Sequence, residues 1–237
     1  MVMIKISKRL QALARLVPAG SRVADIGTDH GLLPVYLVEE GVSPLVIGVD
    51  VHRGPYETAC RNVRACLPAG AVDLRLGDGL NPLQPGEVDV VIIAGMGGAA
   101  MREILAQAPE AAEGLTRLIL QPMNASEAIR RWLYEHGWVI VEEDLVSEKG
   151  QVYEIMAAEK GEAPSLSEEE ACFGPLLIKN KHPLLALVLA KELSSLQEII
   201  SRLANSKTDE AKEKRRRLVE RENMIKELLL WLSAVKE

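Results

Sequence analysis

The sequence predicts an α/β fold in which a mostly parallel, seven-stranded sheet is followed by a C-terminal helical hairpin. Three observations carry that expectation. Apolar strand-like runs alternate with helical patterns to about residue 145, which demands a parallel sheet with helices on both faces. The first of these runs ends in a glycine-bounded turn, Asp25-Ile26-Gly27-Thr28-Asp29-His30-Gly31, the form of a strand, a tight turn and a helix start. Beyond Phe173-Gly174-Pro175 the pattern changes to long helices.

Taken in order, residues 7–17 place Leu10, Leu13, Leu16 and Val17 at a helical period, closed by Pro18-Ala19-Gly20. Residues 22–25 form the first strand. A helix runs from the turn to Gly41, with Pro34 tolerated in its first turn. Residues 45–50 are a second buried strand ending in an acid, 54–67 a helix, and 72–76 a third, alternating strand. Residues 88–94 are almost continuously apolar and so make a central fourth strand. A helix from Ala99 to about Gln107, a fifth strand at 115–120 and a helix at 126–136 follow. Residues 138–141 and 152–158 read as a closing antiparallel pair. Residues 161–170 are polar and acidic and read as a linker, giving domains at 1–160 and 161–237. In the second, Leu189, Leu193, Leu196, Ile200 and Leu203 step by four and three. Leu218, Ile225, Leu228 and Leu232 fit a similar frame, with Arg221 in the gap. Joined by a turn at 205–209, these helices predict an antiparallel coiled-coil hairpin.

The glycine spacing decides which ligand suits the first turn. A dinucleotide fingerprint, G-x-G-x-x-G, leaves bare backbone for a pyrophosphate at the helix N-terminus. Here Gly27 and Gly31 enclose three residues, with Asp29 in the middle. A carboxylate there repels a pyrophosphate and welcomes a cation, and S-adenosylmethionine (SAM) carries both an ammonium and a sulfonium. Asp50 follows Asp25 by 25 residues, near the distance of a ribose-binding carboxylate. Gly77-Asp78-Gly79 sets another acid in a turn after the third strand, where it can accept from an adenine amino group. The same residues also fit a strand–turn–helix without a ligand, and NAD is the poorer nucleotide.

Composition narrows the class. Of the 237 residues, 48% are hydrophobic and 26% charged, enough for a sizeable core and too apolar for disorder. Aromatics are only 3%, so a base-stacking surface must be small or use other side chains. Cys60, Cys66 and Cys172 lack metal-ligand spacing and the four histidines are scattered; no metal is expected, and the thiols read as reduced in a cytoplasmic protein. No run reaches membrane-span length, and Met1-Val2-Met3-Ile4-Lys5 lacks a signal peptide's apolar core. The net charge of −6 argues against nucleic acid for the chain as a whole. From Lys179 onward, however, 13 Lys+Arg face 9 Asp+Glu, a basic tail of +4 on a body of −10.

The four stretches Asp25–Gly31, Gly77-Asp78-Gly79, Ala94-Gly95-Met96-Gly97-Gly98 and Gln121-Pro122-Met123-Asn124, in this order, closely resemble the bacterial tRNA adenine N1-methyltransferases of the TrmK family, which act at tRNA position 22. The resemblance covers nearly the whole chain, from a Ser7/Arg9 opening to the C-terminal helices. It implies a Rossmann-like class I methyltransferase fold, SAM as methyl donor and tRNA as substrate. It also implies that Asp25, Gly27, His30, Asp50, Asp78 and Gly79 hold SAM, and that the Gly95, Met96, Gly97 and Gly98 loop is the reacting centre. Asp29, by the charge argument above, and Gly95 complete the set assigned to SAM.

The residues agree with that chemistry. Methylation of exocyclic amines uses an Asn/Asp-Pro-Pro-aromatic loop after the fourth strand, where this chain has Gly95-Met96-Gly97-Gly98. N1 of adenine attacks with an in-plane lone pair and needs no general base. A glycine loop lets the base approach, and Met96 can pack on its face. N1 lies on the pairing edge, so the base must be unpaired or extruded. Gln121 and Asn124 are candidates to hold the base or the SAM carboxylate. Lys212, Lys214, Arg215, Arg216 and Arg217, interrupted only by Glu213, are expected with Arg9 to contact the tRNA backbone. A small-molecule SAM methyltransferase and a non-catalytic SAM-binding module are the competing readings. The expected partners are tRNA, with no membrane and no metal, for a monomer or weak homodimer.

Overall fold

The computed structural model of the chain describes residues 4–162, 165–204 and 208–234. Its sheet comprises β1 (Val23–Ile26), β2 (Val46–Asp50), β3 (Asp73–Leu76), β4 (Val90–Met96), β5 (Arg117–Pro122), β6 (Trp138–Glu148) and β7 (Gln151–Lys160). The spatial order is β3-β2-β1-β4-β5-β7-β6. β1 to β5 are parallel; β7 is antiparallel to β5 and β6. The expected mostly parallel, seven-stranded sheet is therefore present.

Alternation along each central strand builds two cores. Ala24, Ile26, Val91, Ile93, Leu118 and Leu120 face one layer, with Met101, Ile129 and Trp138. Val23, Val90, Ile92 and Ile119 face the other, with Leu13, Leu33, Val35 and Leu37. Both faces are covered, which is why these strands read as unbroken apolar runs. β3 is an edge strand, half exposed, and its Leu76 lies at the surface.

The helices of this part are α1 (Lys8–Arg15), α2 (Leu32–Glu39), α3 (Arg53–Cys66), α4 (Gly98–Gln107), α5 (Pro109–Glu113) and α6 (Ser126–Glu135). Ser7 caps α1 by accepting the Leu10 N–H at 3.2 Å. Gly31 precedes α2 in the left-handed region, φ 67°. α5 had no counterpart in the sequence reading.

The closing pair is longer than expected. β6 and β7 turn at Lys149 and Gly150, both with positive φ, the backbone of a two-residue hairpin turn matched to strand twist. A register shift between Ile140 and Glu142 breaks the alternation and leaves Val141 exposed, so the period stops there although the strand continues.

The polar stretch at 161–170 is not wholly linker; its residues 163 and 164 lie outside the described ones. Ser167 and Glu170 form a reciprocal capping box that starts α7 (Glu168–Phe173). Fully buried Arg130 donates to the Ala171 carbonyl at 3.0 Å and pairs with Glu143 and Glu154. Glu143 in turn accepts the Leu176 N–H at 2.8 Å. These bonds fasten α7 to the sheet, and the two compact units of the chain are Met1–Leu176 and Leu177–Glu237.

The second unit contains α9 (Leu185–Leu203) and α10 (Asp209–Ser233), preceded by α8 (Pro175–Lys179), which begins in the first. Leu189, Leu196, Ile225 and Leu228 are its buried apolar side chains on the two long helices, with Leu185. Arg221 pairs with Glu192 across them, and Gln197 donates to Glu222 at 3.0 Å. Of the turn expected at 205–209, residues 205–207 lie outside the described residues; Thr208 caps α10. Among the described residues no helix is long and apolar enough to cross a membrane.

Candidate active site

Strand order reverses between β1 and β4, and the crevice outside their carboxyl ends is where open α/β sheets bind ligands. A cleft of 530 Å³ lies there. Gly27 and Asp29 reach it from β1, Asp50 and His52 from β2, Gly77, Asp78 and Gly79 from β3, and Ala94, Gly95 and Met96 from β4. A second cleft of 260 Å³ shares Arg9, Gly27, Asp29 and Ala94 with it and adds Asp25 and His30. The SAM candidates of the sequence reading thus converge on two adjoining clefts.

Two of the four acids, Asp25 and Asp50, are buried. Asp50 is 5% exposed; its Oδ2 accepts the Asp29 N–H at 3.0 Å and its Oδ1 the His52 N–H at 2.9 Å. Both oxygens are thereby oriented, and their remaining lone pairs are available. Asp25, also 5% exposed, sits at the end of β1, and burial pushes its carboxyl up to about 6. Asp29 has φ 51° and is exposed; its Oδ2 lies 3.4 Å from His30 Nε2. Asp78 is exposed at the rim.

The glycine stretch expected as a loop after the fourth strand instead spans the end of β4, Gly97 and the first residue of α4, and it is held by β5 and the turn after it. Gly95 has φ 77° and coincides with a register shift between Ala94 and Met96, a bulge that only a residue tolerating positive φ fits comfortably. Met123 N–H donates to the Met96 carbonyl at 2.8 Å. Asn124 Oδ1 accepts the Gly98 N–H at 3.3 Å. Met96 itself turns inward: a Cβ on Gly27 would lie 2.2 Å from its methyl carbon, so Gly27 makes room for Met96.

Comparison with known proteins bears on this arrangement. The model of the TrmK family, tRNA (adenine(22)-N(1))-methyltransferase, matches residues 23–227. The tRNA (adenine(22)-N(1))-methyltransferase of Bacillus subtilis is 34% identical over 95% of this chain and 98% of its own. The chain belongs to the TrmK family of tRNA (adenine(22)-N(1))-methyltransferases. The solved structure of the B. subtilis TrmK superposes with a TM-score of 0.87 at 34% identity, covering 95% of this chain and 99% of that one. Streptococcus pneumoniae Sp1610, solved in complex with S-adenosyl-L-methionine, has a TM-score of 0.87 at 36% identity, covering 95% and 100%. M. capricolum TrmK, solved with S-adenosyl-homocysteine, has 0.83 at 27%, covering 94% and 97%.

Within the TrmK frame, some sequence-predicted residues fall elsewhere than expected. Gln121 is fully buried. Its Oε1 accepts from Arg9 Nη1 at 2.7 Å, and its Nε2 donates to the Pro122 carbonyl at 3.0 Å and toward Met123 Sδ at 3.6 Å. Its amide is spent inside the protein and holds Arg9. Arg9 lines both clefts and lies over Tyr153, 5.5 Å from the ring centre. It lines the clefts, where the sequence suggests a contact to the tRNA backbone. Nothing in the sequence singles out Tyr153, because its partner Arg9 is remote along the chain.

The basic cluster on α10 is largely neutralised. Lys212 pairs with Asp209 at 2.8 Å, Arg216 with Glu213 at 2.8 Å and Glu220 at 2.9 Å, and Arg217 with Glu213 at 2.9 Å. Among the described residues, Lys214 and Arg215 have no acidic partner. One group of potential metal ligands occurs among the described residues, Glu127, Glu168 and Cys172. The Arg131 guanidinium already contacts both carboxylates there, at 3.2 and 2.7 Å. Cys60, Cys66 and Cys172 are free thiols.

Proposed function

We propose that the two adjoining clefts hold SAM and that the Gly95–Gly98 loop presents N1 of tRNA adenine 22 to it. The single observation that carries this reading is the convergence of Asp25, Asp29, Asp50 and Asp78 on clefts that the glycine loop borders. The fit is chemical. Four carboxylates suit a ligand with an ammonium, a sulfonium and ribose hydroxyls, and repel a pyrophosphate. Arg9, set between the clefts, suits the ligand's carboxylate. When bound, SAM supplies an electrophilic methyl group.

The chain's own residues then position and shield. Asp50 accepts from the ribose hydroxyls through the lone pairs its backbone donors leave free. Asp78 accepts from the adenine amino group of the cofactor, with Gly79 beside it, and Asp25, Asp29 and His30 face the methionine end. Gly95 and Gly97 offer no side chain to the incoming base, so its edge reaches the backbone, whereas Gly98 lacks one because the Asn124 and Ala125 carbonyls pack against it. N1 attacks with its own lone pair, and no residue has to remove a proton. The product is cationic, and nearby carboxylates and carbonyl dipoles favour it. Much of the barrier is offset by orientation alone.

Lys214 and Arg215, with the paired cations around them, contact tRNA phosphates from the second unit. We place the enzyme in the cytoplasm as a monomer or weak homodimer. Incubation with labelled SAM and unmodified tRNA, followed by nucleoside analysis, tests the reading. The expected product is 1-methyladenosine, absent when position 22 carries guanine. N6-methyladenosine, or label that persists in the guanine transcript, would contradict it.

A further inference from the structure

We propose that Met123 is the platform on which the extruded adenine stacks; this rests on the reading that the glycine loop admits the base. Extruded bases are gripped by aromatic or apolar faces, and among the described lining residues the rings at the clefts are the imidazoles of His52 and His30, with no Phe, Trp or Tyr. Met96, the methionine within the loop, is engaged against Gly27. Met123 is 45% exposed and adjoins the loop, its N–H bonded to the Met96 carbonyl at 2.8 Å. An exposed methionine is ordinarily mobile, with three rotatable bonds. This one is steadied from beneath, because the fully buried Gln121 amide points at its sulfur from 3.6 Å. The same amide group holds Arg9 at 2.7 Å, so one buried side chain sets both the cation in the cleft and the thioether outside the loop. A polarisable thioether against a π-face is a favourable contact, and it suits a chain with so few aromatics.

The test uses the full chain and a tRNA transcript with adenine or 2-aminopurine at position 22. Met123→Ser should lower kcat/KM for tRNA roughly tenfold and diminish the 2-aminopurine fluorescence change. SAM affinity by calorimetry and the melting temperature should stay as in the parent. Met123→Leu, apolar and of similar volume, should keep activity within about threefold. Parental kcat/KM and fluorescence in Met123→Ser would overturn the proposal, as would a parallel loss of SAM affinity, which would make Met123 a support of the cofactor cleft. A parent chain that methylates no tRNA would instead refute the underlying reading.

Discussion

Asp25→Asn is predicted to stabilise the ligand-free protein and to weaken SAM binding. The folded carboxyl titrates at about 6 against an ordinary 3.8, with burial the leading cause. The difference is about 2 units, and at 1.36 kcal/mol per unit the ionised group costs about 3 kcal/mol. The sign follows from proton counting. Between pH 3.8 and 6 the folded state holds the proton that the unfolded state has released, so stability falls as pH rises through this window. The cost is absent below the window and complete above it. Asparagine carries none of it. Urea denaturation without SAM should show Asp25→Asn more stable by about 3 kcal/mol at pH 7.5, the gap closing toward pH 4. SAM, whose methionine end we assign to this carboxylate, should bind the variant roughly ten- to a hundredfold more weakly. In the parent, SAM affinity should fall as pH drops through 6. A variant no more stable at pH 7.5 than the parent, with SAM affinity intact, would refute the reasoning.

Other perturbations separate the parts of the account. Gly97→Leu places a side chain against Asn124 Oδ1, 3.2 Å from where its Cβ would lie; SAM binding should persist while tRNA methylation falls about a hundredfold, as initial rates would show. Charge reversal at Lys214 and Arg215 should lower the slope of log affinity for tRNA against log salt by roughly 0.7–0.9 per lost phosphate contact. Reversal at Arg216, already paired with Glu213 and Glu220, should lower it less; equal effects would argue against the free pair as the grip. Arg130→Ala strands Glu143 in a fully buried site and should cost about 3–5 kcal/mol in chemical denaturation. A loss under about 1 kcal/mol would mean that the ion pair is not what fastens α7.

Four of the five parallel strands were legible because both faces of β1, β2, β4 and β5 are buried, which writes continuous apolar runs into the sequence. β6 was cut short where a bulge takes Val141 out of phase. α7 reads as linker in the sequence although Ser167 and Glu170 spell its cap, since an acidic stretch beside a proline resembles a loop. The candidate acids stand out in the sequence because Asp50 ends a strand and Asp29 and Asp78 sit in glycine turns. The direction of Gln121 does not, because it is set by Arg9, 112 residues earlier in the chain. The pairing within the α10 cluster was readable, since Glu213 stands three and four residues before Arg216 and Arg217.

Calorimetric titration at neutral pH tests the central claim most directly, that acids at the β1/β4 crevice select a cationic sulfonium ligand. The account predicts clear heat with SAM and none with NADH. Binding of NADH without binding of SAM would contradict it.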